Sequence, residues 1–175
     1  PTASNMLKMS WSDAVAQSAQ GWIDQCNVTH GPPSSRIIDG MLPAITVRSF
    51  IFRALFIVHS VLKCSACVQV VCYSSYEVGC AVAQCGSSYF YGCFIPKLNP
   101  IWNFRGVPPY SLGDPCAACP HDCEDGLCTN PCPYINTFSN CDELKEMATC
   151  DHSLVSQWCP ASCLCEDKIV PIARK

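Results

Sequence analysis

Residues 116–165 have the sequence CAACPHDCEDGLCTNPCPYINTFSNCDELKEMATCDHSLVSQWCPASCLC, and this stretch limits how the C-terminal part of the chain can fold. It places ten cysteines within fifty residues, whereas residues 1–115 hold seven. So short a segment cannot bury a large apolar core, so covalent links must supply the missing stability. Dense cysteine in a small module is typical of an oxidising compartment. The sequence therefore predicts a secreted, extracellular, disulfide-stapled protein.

A cytosolic zinc protein is the alternative interpretation of the same cysteines. Pairs such as Cys64-x-x-Cys67 and Cys116-x-x-Cys119 have the spacing of zinc ligands. The ten cysteines from Cys116 to Cys165 outnumber the ligands of two four-coordinate zinc sites. We therefore favour disulfides.

Charge and hydropathy argue against two kinds of partner. The net charge is −3 with only eleven Lys and Arg residues, so we expect no nucleic-acid binding. Residues 41–62 form the one apolar run that suggests a membrane helix, but Arg48, Arg53 and His59 interrupt it. Each charge at mid-bilayer costs about 2.5–3.5 kcal/mol on insertion scales. We expect no membrane span, and no pattern indicates the oligomeric state.

Apolar spacing predicts the elements of the first hundred residues. A first helix is expected, with Ser10 or Ser12 as its N-cap and a buried stripe formed by Trp11, Val15, Ala19 and Trp22. Residues 68–83 and 87–94 are rich in β-branched and aromatic side chains, which predicts adjacent strands with a turn near Gly86.

Proline and cysteine spacing divide the rest of the chain. Residues 96–115 hold five prolines without a period, which predicts a linker or an extended arm. Between the later cysteines, residues 142–148 and 153–158 predict two short helices.

Four stretches resemble the cysteine-rich secretory proteins of venoms and mammalian reproductive secretions. They are PTASNMLKMSW at 1–11, YSSYEVGCAVA at 73–83, GLCTNPC at 126–132 and CPASCLC at 159–165. The resemblance covers roughly residues 1–40, 68–93 and 107–169, and on it the chain is identified as a member of this family.

The resemblance implies an α+β fold class. It places an α-β-α sandwich, of the kind shared with plant pathogenesis-related and insect venom antigen proteins, at residues 1–106. A disulfide hinge at 107–131, a small, mainly helical ion-channel-regulator domain at 132–165 and a tail at 166–175 follow. Family members begin about thirty residues earlier, so the sandwich is expected to be incomplete at its N-terminus. Residues 1–4 lack the features of a signal peptide, which is consistent with a mature chain or a fragment.

The family's disulfide pattern can be carried over to this chain, although spacing alone would leave fifteen connectivities for the regulator's six cysteines. In the sandwich the resemblance implies Cys26–Cys85 and Cys80–Cys93. In the hinge it implies Cys116–Cys123 and Cys119–Cys128. In the regulator it implies Cys132–Cys165, Cys141–Cys159 and Cys150–Cys163. Cys64, Cys67 and Cys72 have no family partners, and an odd total leaves at least one cysteine unpaired.

The metal site of the family is expected to be missing here. The family's cleft carries two histidines and two glutamates that can hold zinc, and His30 is their one counterpart in this chain. Ala66 occupies the second histidine position, within a segment (residues 41–67) where the resemblance breaks off. Because a zinc site needs three or four ligands, we expect no cofactor.

The sequence predicts a binding protein and not an enzyme. A nucleophilic Cys or Ser needs a positioned histidine and an orienting acid, yet His121 and His152 lie among cysteines with acidic neighbours, a surface pattern. Neither Gly-x-Ser-x-Gly nor His-Glu-x-x-His occurs.

The resemblance implies that the C-terminal module modulates an ion channel or another membrane protein at the extracellular face. The contact candidates are Tyr134, Phe138, Leu154 and Trp158, which could instead fill the small core. A reproductive-tract coating or adhesion protein is the alternative function. Residues 132–165 have a net charge of −3, which argues against a plug for a cation pore.

One glycosylation site is predicted. Asn27-Val28-Thr29 is the only Asn-x-Ser/Thr sequence with a permitted middle residue, and it lies between the first helix and Gly31-Pro32-Pro33. We therefore expect Asn27 on an exposed turn.

Overall fold

The computed structural model describes residues 2–27, 44–50, 71–96 and 108–171, with only the backbone for 44–50. The chain divides into two compact units. The sheet unit consists of Met9–Val70 and Ser75–Lys97, and the cysteine-rich unit consists of Pro1–Lys8, Val71–Ser74 and Leu98–Lys175.

In its described residues, the sheet unit contains four hydrogen-bonded strands in the order β1-β3-β4-β2. These are β1 (Ser10–Trp11), β2 (Ala44–Phe50), β3 (Glu77–Cys85) and β4 (Ser88–Ile95). The short strand β1 is parallel to β3, and the other neighbours are antiparallel. Helix α1 (Asp13–Ile23) follows β1 directly.

Helix α1 supplies the apolar core of the sheet unit. Its buried side chains Val15, Ala19, Trp22 and Ile23 pack with Phe90 and Phe94 of β4. The predicted stripe is confirmed for Val15, Ala19 and Trp22, which recur at helical spacing.

The prediction that Trp11 lies on this stripe is wrong. The helix begins only at Asp13, because Ser12 has an extended backbone and is the N-cap. Trp11 therefore belongs to β1 and is 57% exposed. Its indole N–H donates to the Asp13 carboxylate at 2.9 Å, which satisfies the polar atom of an exposed ring.

Strands β3 and β4 form the predicted hairpin. Cys85 pairs with Ser88, and Gly86 in the intervening turn has a φ of 64°. Glycine suits this position because it adopts positive φ without a Cβ clash. The first strand begins at Glu77 and not at residue 68, and residues 68–70 lie outside the described part of the chain. Tyr73 lies in the predicted strand, but its backbone hydrogen bonds are with residues outside the hairpin. Its N–H donates to the Pro109 carbonyl, and its carbonyl accepts from the Leu7 N–H.

Between residues 108 and 171, the cysteine-rich unit contains a small hairpin and three short helices. The hairpin joins β5 (Cys123–Glu124) to β6 (Leu127–Cys128). The helices are α2 (Cys141–Ala148), α3 (Ser153–Trp158) and α4 (Pro160–Leu164). The two predicted helices are confirmed as α2 and α3. Helix α4 was not predicted, because its five residues are too few to show a helical period.

Residues 2–8 run beside the hinge cysteines within this unit. Ser4 N–H donates to Ser111 at 2.9 Å, Cys128 N–H donates to Met6 at 2.8 Å, and Lys8 N–H donates to Cys128 at 2.8 Å. The Lys8 ammonium also pairs with the Glu124 carboxylate. The described part of the predicted arm, residues 108–115, is therefore hydrogen-bonded to residues 2–8 and is not a free linker. The domain boundaries at 106/107 and 131/132 stay predictions.

Candidate partner-binding site

Five disulfides tie the cysteine-rich unit together. Those of the hinge are Cys116–Cys123 and Cys119–Cys128, and those of the helical part are Cys132–Cys165, Cys141–Cys159 and Cys150–Cys163. Cys26–Cys85 and Cys80–Cys93 tie the sheet unit. These are the seven pairs that the family resemblance implies. Their connectivity in purified protein stays a prediction, which peptide mapping under non-reducing conditions checks.

Disulfide-bonded cysteines are two of the three buried members of each apolar cluster in the helical part. One buried cluster holds Cys141, Val155 and Cys159, with Leu144 and Cys163 packed against it. A second holds Cys132, Ala161 and Cys165, with Val170 against it. These small side chains leave no large aromatic residue in either cluster.

The four contact candidates consequently lie at the surface. Their exposed fractions are 44% for Tyr134, 43% for Phe138, 42% for Leu154 and 37% for Trp158. The sequence left open whether these residues fill the core, and in the structure all four remain accessible to a partner. Whether they contact one stays a prediction.

Three of the four form a surface that we call the aromatic patch: Phe138, Leu154 and Trp158. The rings of Phe138 and Trp158 meet edge to face, with centroids 5.5 Å apart. Leu154 and Trp158 are four residues apart on α3 and so share one helix face. Thr137 N–H donates to the Trp158 carbonyl at 2.7 Å, which fixes the segment carrying Phe138 against the end of α3.

A hydrogen-bond network that sequence analysis missed holds α2 and α4 beside this segment. The buried Asn136 amide donates to the Ser162 hydroxyl at 2.7 Å and accepts from Ser162 N–H at 3.1 Å. The Ser162 hydroxyl donates to Asp142 at 2.7 Å. No sequence signal identifies this trio, because Asn136 and Ser162 are 26 residues apart.

The network lies in a cleft of about 620 Å³ whose lining includes charged side chains. These are Asp142, Lys145, Glu146, Glu166 and Lys168. Lys145 lies 3.9 Å from Glu166, and both side chains are substantially exposed. Such an exposed pair contributes little to stability.

The described residues do not bring catalytic groups together. His121 and His152 are both exposed. The His152 Nδ1 accepts a hydrogen bond from Leu154 N–H at 3.3 Å, so this imidazole serves as the N-cap of α3. His30 and His59 lie outside the described residues.

The expectation that the chain holds no metal stays a prediction. Within the described residues, one group has the spacing of metal ligands, namely Cys116, Cys119 and Cys128. All three are disulfide-bonded, and a cystine sulfur is not the thiolate that zinc requires. The expectation of an incomplete zinc site at His30 concerns residues outside the described part of the chain.

Cys72 has no disulfide partner in the described part of the chain. Its sulfur lies 3.4 Å from the Ser74 hydroxyl and is partly buried. The predicted odd cysteine could be any of three, since Cys64 and Cys67 are not described.

Asn27 is exposed and follows the turn at the end of α1, as the sequence suggests. We expect a fraction of native protein to carry an asparagine-linked glycan there, because an exposed turn accommodates a bulky sugar without loss of core packing. Treatment with an asparagine-glycan-releasing enzyme should convert residue 27 to aspartate and lower the mass. The Asn27→Gln variant, made in the same host, should show no mass change. An unchanged native mass with intact Asn27 would contradict occupancy.

In the sheet unit, α1 buries its apolar face against a sheet that has both parallel and antiparallel strand pairs. The same chain continues into short helices that are closed by disulfides. These features define an α+β protein with a disulfide-rich module. The fold-class prediction is confirmed. Among the described residues, no helix combines the length and the apolar character needed to cross a bilayer.

Comparison with known proteins identifies the family. The Crisp family model matches residues 116–170. Human Cysteine-rich secretory protein 2 is 39% identical over an alignment 190 positions long, which covers 97% of this chain and 78% of the human protein. The chain belongs to the cysteine-rich secretory protein family, as the sequence motifs predicted.

Solved structures share the fold at lower identity. The structure of NaASP2 with Zn²⁺ has a TM-score of 0.52 and 21% identity, covering 74% of this chain and 80% of that one. Na-ASP-1 has a TM-score of 0.58 and 20% identity, covering 74% of this chain and 39% of that one. At this identity the likeness establishes the fold alone.

Proposed function

We propose that the protein is a secreted, non-enzymatic binding protein that modulates an ion channel or another membrane receptor from the extracellular side. The observation that carries the proposal is the aromatic patch, an accessible apolar surface on a disulfide-closed scaffold. Aromatic side chains dominate interface energies. A surface that is already rigid loses little conformational entropy on binding, which favours affinity.

The family assignment and the cysteine chemistry support an extracellular site of action. Seven disulfides connect the described residues. Such a framework persists in oxidising surroundings and is reduced in the cytosol. A partner would therefore meet the aromatic patch outside the cell.

The surroundings of His121 and His152 support a non-enzymatic role, because neither imidazole lies near a free cysteine thiol in sequence. His152 is engaged as the N-cap of α3, and His121 is exposed beside the hinge disulfides. General base catalysis needs an imidazole within hydrogen-bond reach of a nucleophile. The cysteines nearest in sequence to both histidines are in disulfides and have no thiolate to offer.

Binding by the aromatic patch is tested by the Trp158→Ala variant. We expect it to weaken binding of fluorescently labelled protein to cell surfaces by about 30-fold, because a truncated aromatic anchor typically costs about 2 kcal/mol. Flow cytometry over a concentration series on a panel of excitable and epithelial cells measures the affinity.

Met147→Ala is the matched control. Met147 lies on the neighbouring α2 and is 83% exposed, so its truncation removes exposed apolar surface outside the patch. We expect its affinity to equal that of wild type. Equal affinities of the Trp158→Ala variant and wild type would refute the role of the patch, provided that circular dichroism shows both proteins to be folded.

A coating or adhesion protein of reproductive fluid is the second candidate. It is favoured by the acidic character of residues 132–165, because a plug for a cation pore would have positive charge. Whole-cell recording from cells that bind the protein separates the two functions. A change in current on addition of protein supports modulation, whereas binding without any change supports coating.

A further inference from the structure

The N-cap of α3 is a titratable side chain. The Nδ1 atom of His152 accepts the hydrogen bond of the Leu154 N–H at 3.3 Å, and the His152 backbone is extended, with a φ of −74° and a ψ of 123°. Serine, threonine, asparagine and aspartate are the preferred N-caps, and they accept through an oxygen. Histidine instead changes its charge between about pH 5 and pH 8, so this cap depends on pH in a range where an oxygen cap does not.

Protonation removes the acceptor on which the cap depends. A neutral imidazole offers one ring nitrogen as an acceptor, whereas an imidazolium carries two N–H donors and no acceptor. The unpaired N–H groups at a helix N-terminus also carry partial positive charge, which disfavours a cation there. His152 is exposed, so its ring exchanges protons with solvent. The cap is therefore formed at pH values above the histidine range and is lost as the pH falls through that range.

No charged group among the described residues forms an ion pair with this ring. Asp151 precedes it in sequence, and the Asp151 carboxylate accepts from the Thr149 hydroxyl at 3.5 Å. Residues 135–140 and α4 have no charged side chain. Helix α2, which packs against α3, has four: Asp142, Glu143, Lys145 and Glu146. The hydrogen bond to Leu154 is thus the described interaction that changes when the ring takes up a proton.

The capped N–H belongs to a residue of the aromatic patch. Leu154 is the second residue of a six-residue helix, so the cap holds the turn that carries it. The other end of α3 is held differently. The Trp158 carbonyl accepts from the Thr137 N–H at 2.7 Å, and Cys159 forms a disulfide with Cys141. Loss of the cap would therefore free the Leu154 end of the patch while Trp158 stays in place.

We propose that His152 is a pH switch for the aromatic patch: protonation releases Leu154 from its cap and weakens binding of the partner in acidic surroundings. This inference rests on the proposed function and adds a regulation of the same surface. His152 acts through Leu154 and does not have to touch the partner, so it is a positioning residue. The switch favours binding near neutral pH and release toward about pH 5.

Proton NMR of the free protein tests the cap without a partner. We expect the Leu154 amide resonance to shift with pH along the same titration curve as the His152 ring protons. The protection of this amide against exchange should fall about fivefold, which is the effect of losing a typical N-cap. In the His152→Asn variant an amide oxygen keeps the cap. The Leu154 amide of that variant should not titrate over the histidine range.

Binding at two pH values tests the switch. The probe is the set of cells that bind labelled wild-type protein, and flow cytometry gives the dissociation constant at about pH 7.5 and about pH 5.5, on the two sides of histidine titration. We expect the loss of affinity on acidification to be about fivefold greater for wild type than for His152→Asn. Because both proteins are compared on the same cells, titration of the partner itself cancels from this ratio.

His121→Asn is the matched control. His121 is exposed and lies among the hinge cysteines, so this variant removes one titrating imidazole away from α3. We expect it to lose affinity on acidification as wild type does.

The outcomes separate the switch from the proposed function. Equal losses in wild type and His152→Asn overturn the switch and leave the binding function standing. A loss that His121→Asn removes as fully as His152→Asn shows a general effect of histidine charge and also overturns it. A Leu154 amide that keeps its resonance while the His152 ring titrates overturns the cap mechanism. Absence of wild-type binding to any cell refutes the proposed function, whereas the NMR result still decides whether the cap opens.

Discussion

Replacement of Gly79 by alanine is expected to destabilise the sheet unit by about 3 kcal/mol, the upper end for overpacked interiors. A Cβ at this position would lie 2.6 Å from the Val15 carbonyl carbon and 2.7 Å from the Ala16 Cα. These are backbone atoms of α1, and a helix backbone cannot turn aside as a flexible side chain can. The methyl group would therefore push α1 away from β3. Denaturant unfolding followed by tryptophan fluorescence measures the loss, since Trp22 is buried in this core.

Gly21→Ala is the matched control for that variant. Gly21 is inside α1, and a Cβ there would meet nothing within 4 Å. We expect this change to stabilise the helix by about 0.5–1 kcal/mol, because alanine loses less backbone entropy than glycine. A Gly79→Ala protein as stable as wild type would show that α1 does not lie against β3 as described.

Removal of the Cys132–Cys165 disulfide is expected to cost the cysteine-rich unit about 3–4 kcal/mol. The bridge spans 33 residues, the longest separation among the disulfides described between residues 108 and 171. On the chain-entropy model, a longer loop gives the unfolded state more freedom when it is opened. Both sulfurs are also buried beside Ala161, so the Cys132→Ala/Cys165→Ala variant loses packing as well. Thermal unfolding and protease sensitivity measure the effect.

The Cys116→Ala/Cys123→Ala variant provides the comparison. Its bridge spans only seven residues, for which the same model gives about 2.4 kcal/mol. We expect this variant to unfold at a temperature between those of wild type and the first variant. Equal losses for the two would contradict an effect of loop length, and no loss in the first would contradict its role in stabilising the helical part.

Much of the local structure could be predicted because its determinants are close together in sequence. The spacing of Val15, Ala19 and Trp22 predicts a helix with one buried face, and that face is buried against Phe90 and Phe94. The turn at Gly86 was predictable because glycine tolerates positive φ. The family motifs in turn predict the α+β fold class and the disulfide-rich module.

The candidate site was predicted only in part. Sequence identified Phe138, Leu154 and Trp158 as candidates but could not distinguish a core role from a surface role. Whether these side chains are buried depends on the volume left in the interior of the helical part. The buried clusters there consist of cystines with Ala161 and Val155 and contain no aromatic side chain. The edge-to-face contact of Phe138 with Trp158 likewise depends on how α3 meets the preceding segment.

The sequence by itself determined that a helix, a β-hairpin with its turn at Gly86 and two short helices between the later cysteines would form, because each has a pattern within a dozen or so residues. Tertiary structure alone decided that Trp11 is exposed and that residues 2–8 belong to the cysteine-rich unit. The backbone N–H of Ser4 donates to the Ser111 carbonyl across 107 residues of sequence. Every backbone carries the same donors and acceptors, so no local pattern indicates which distant groups will pair.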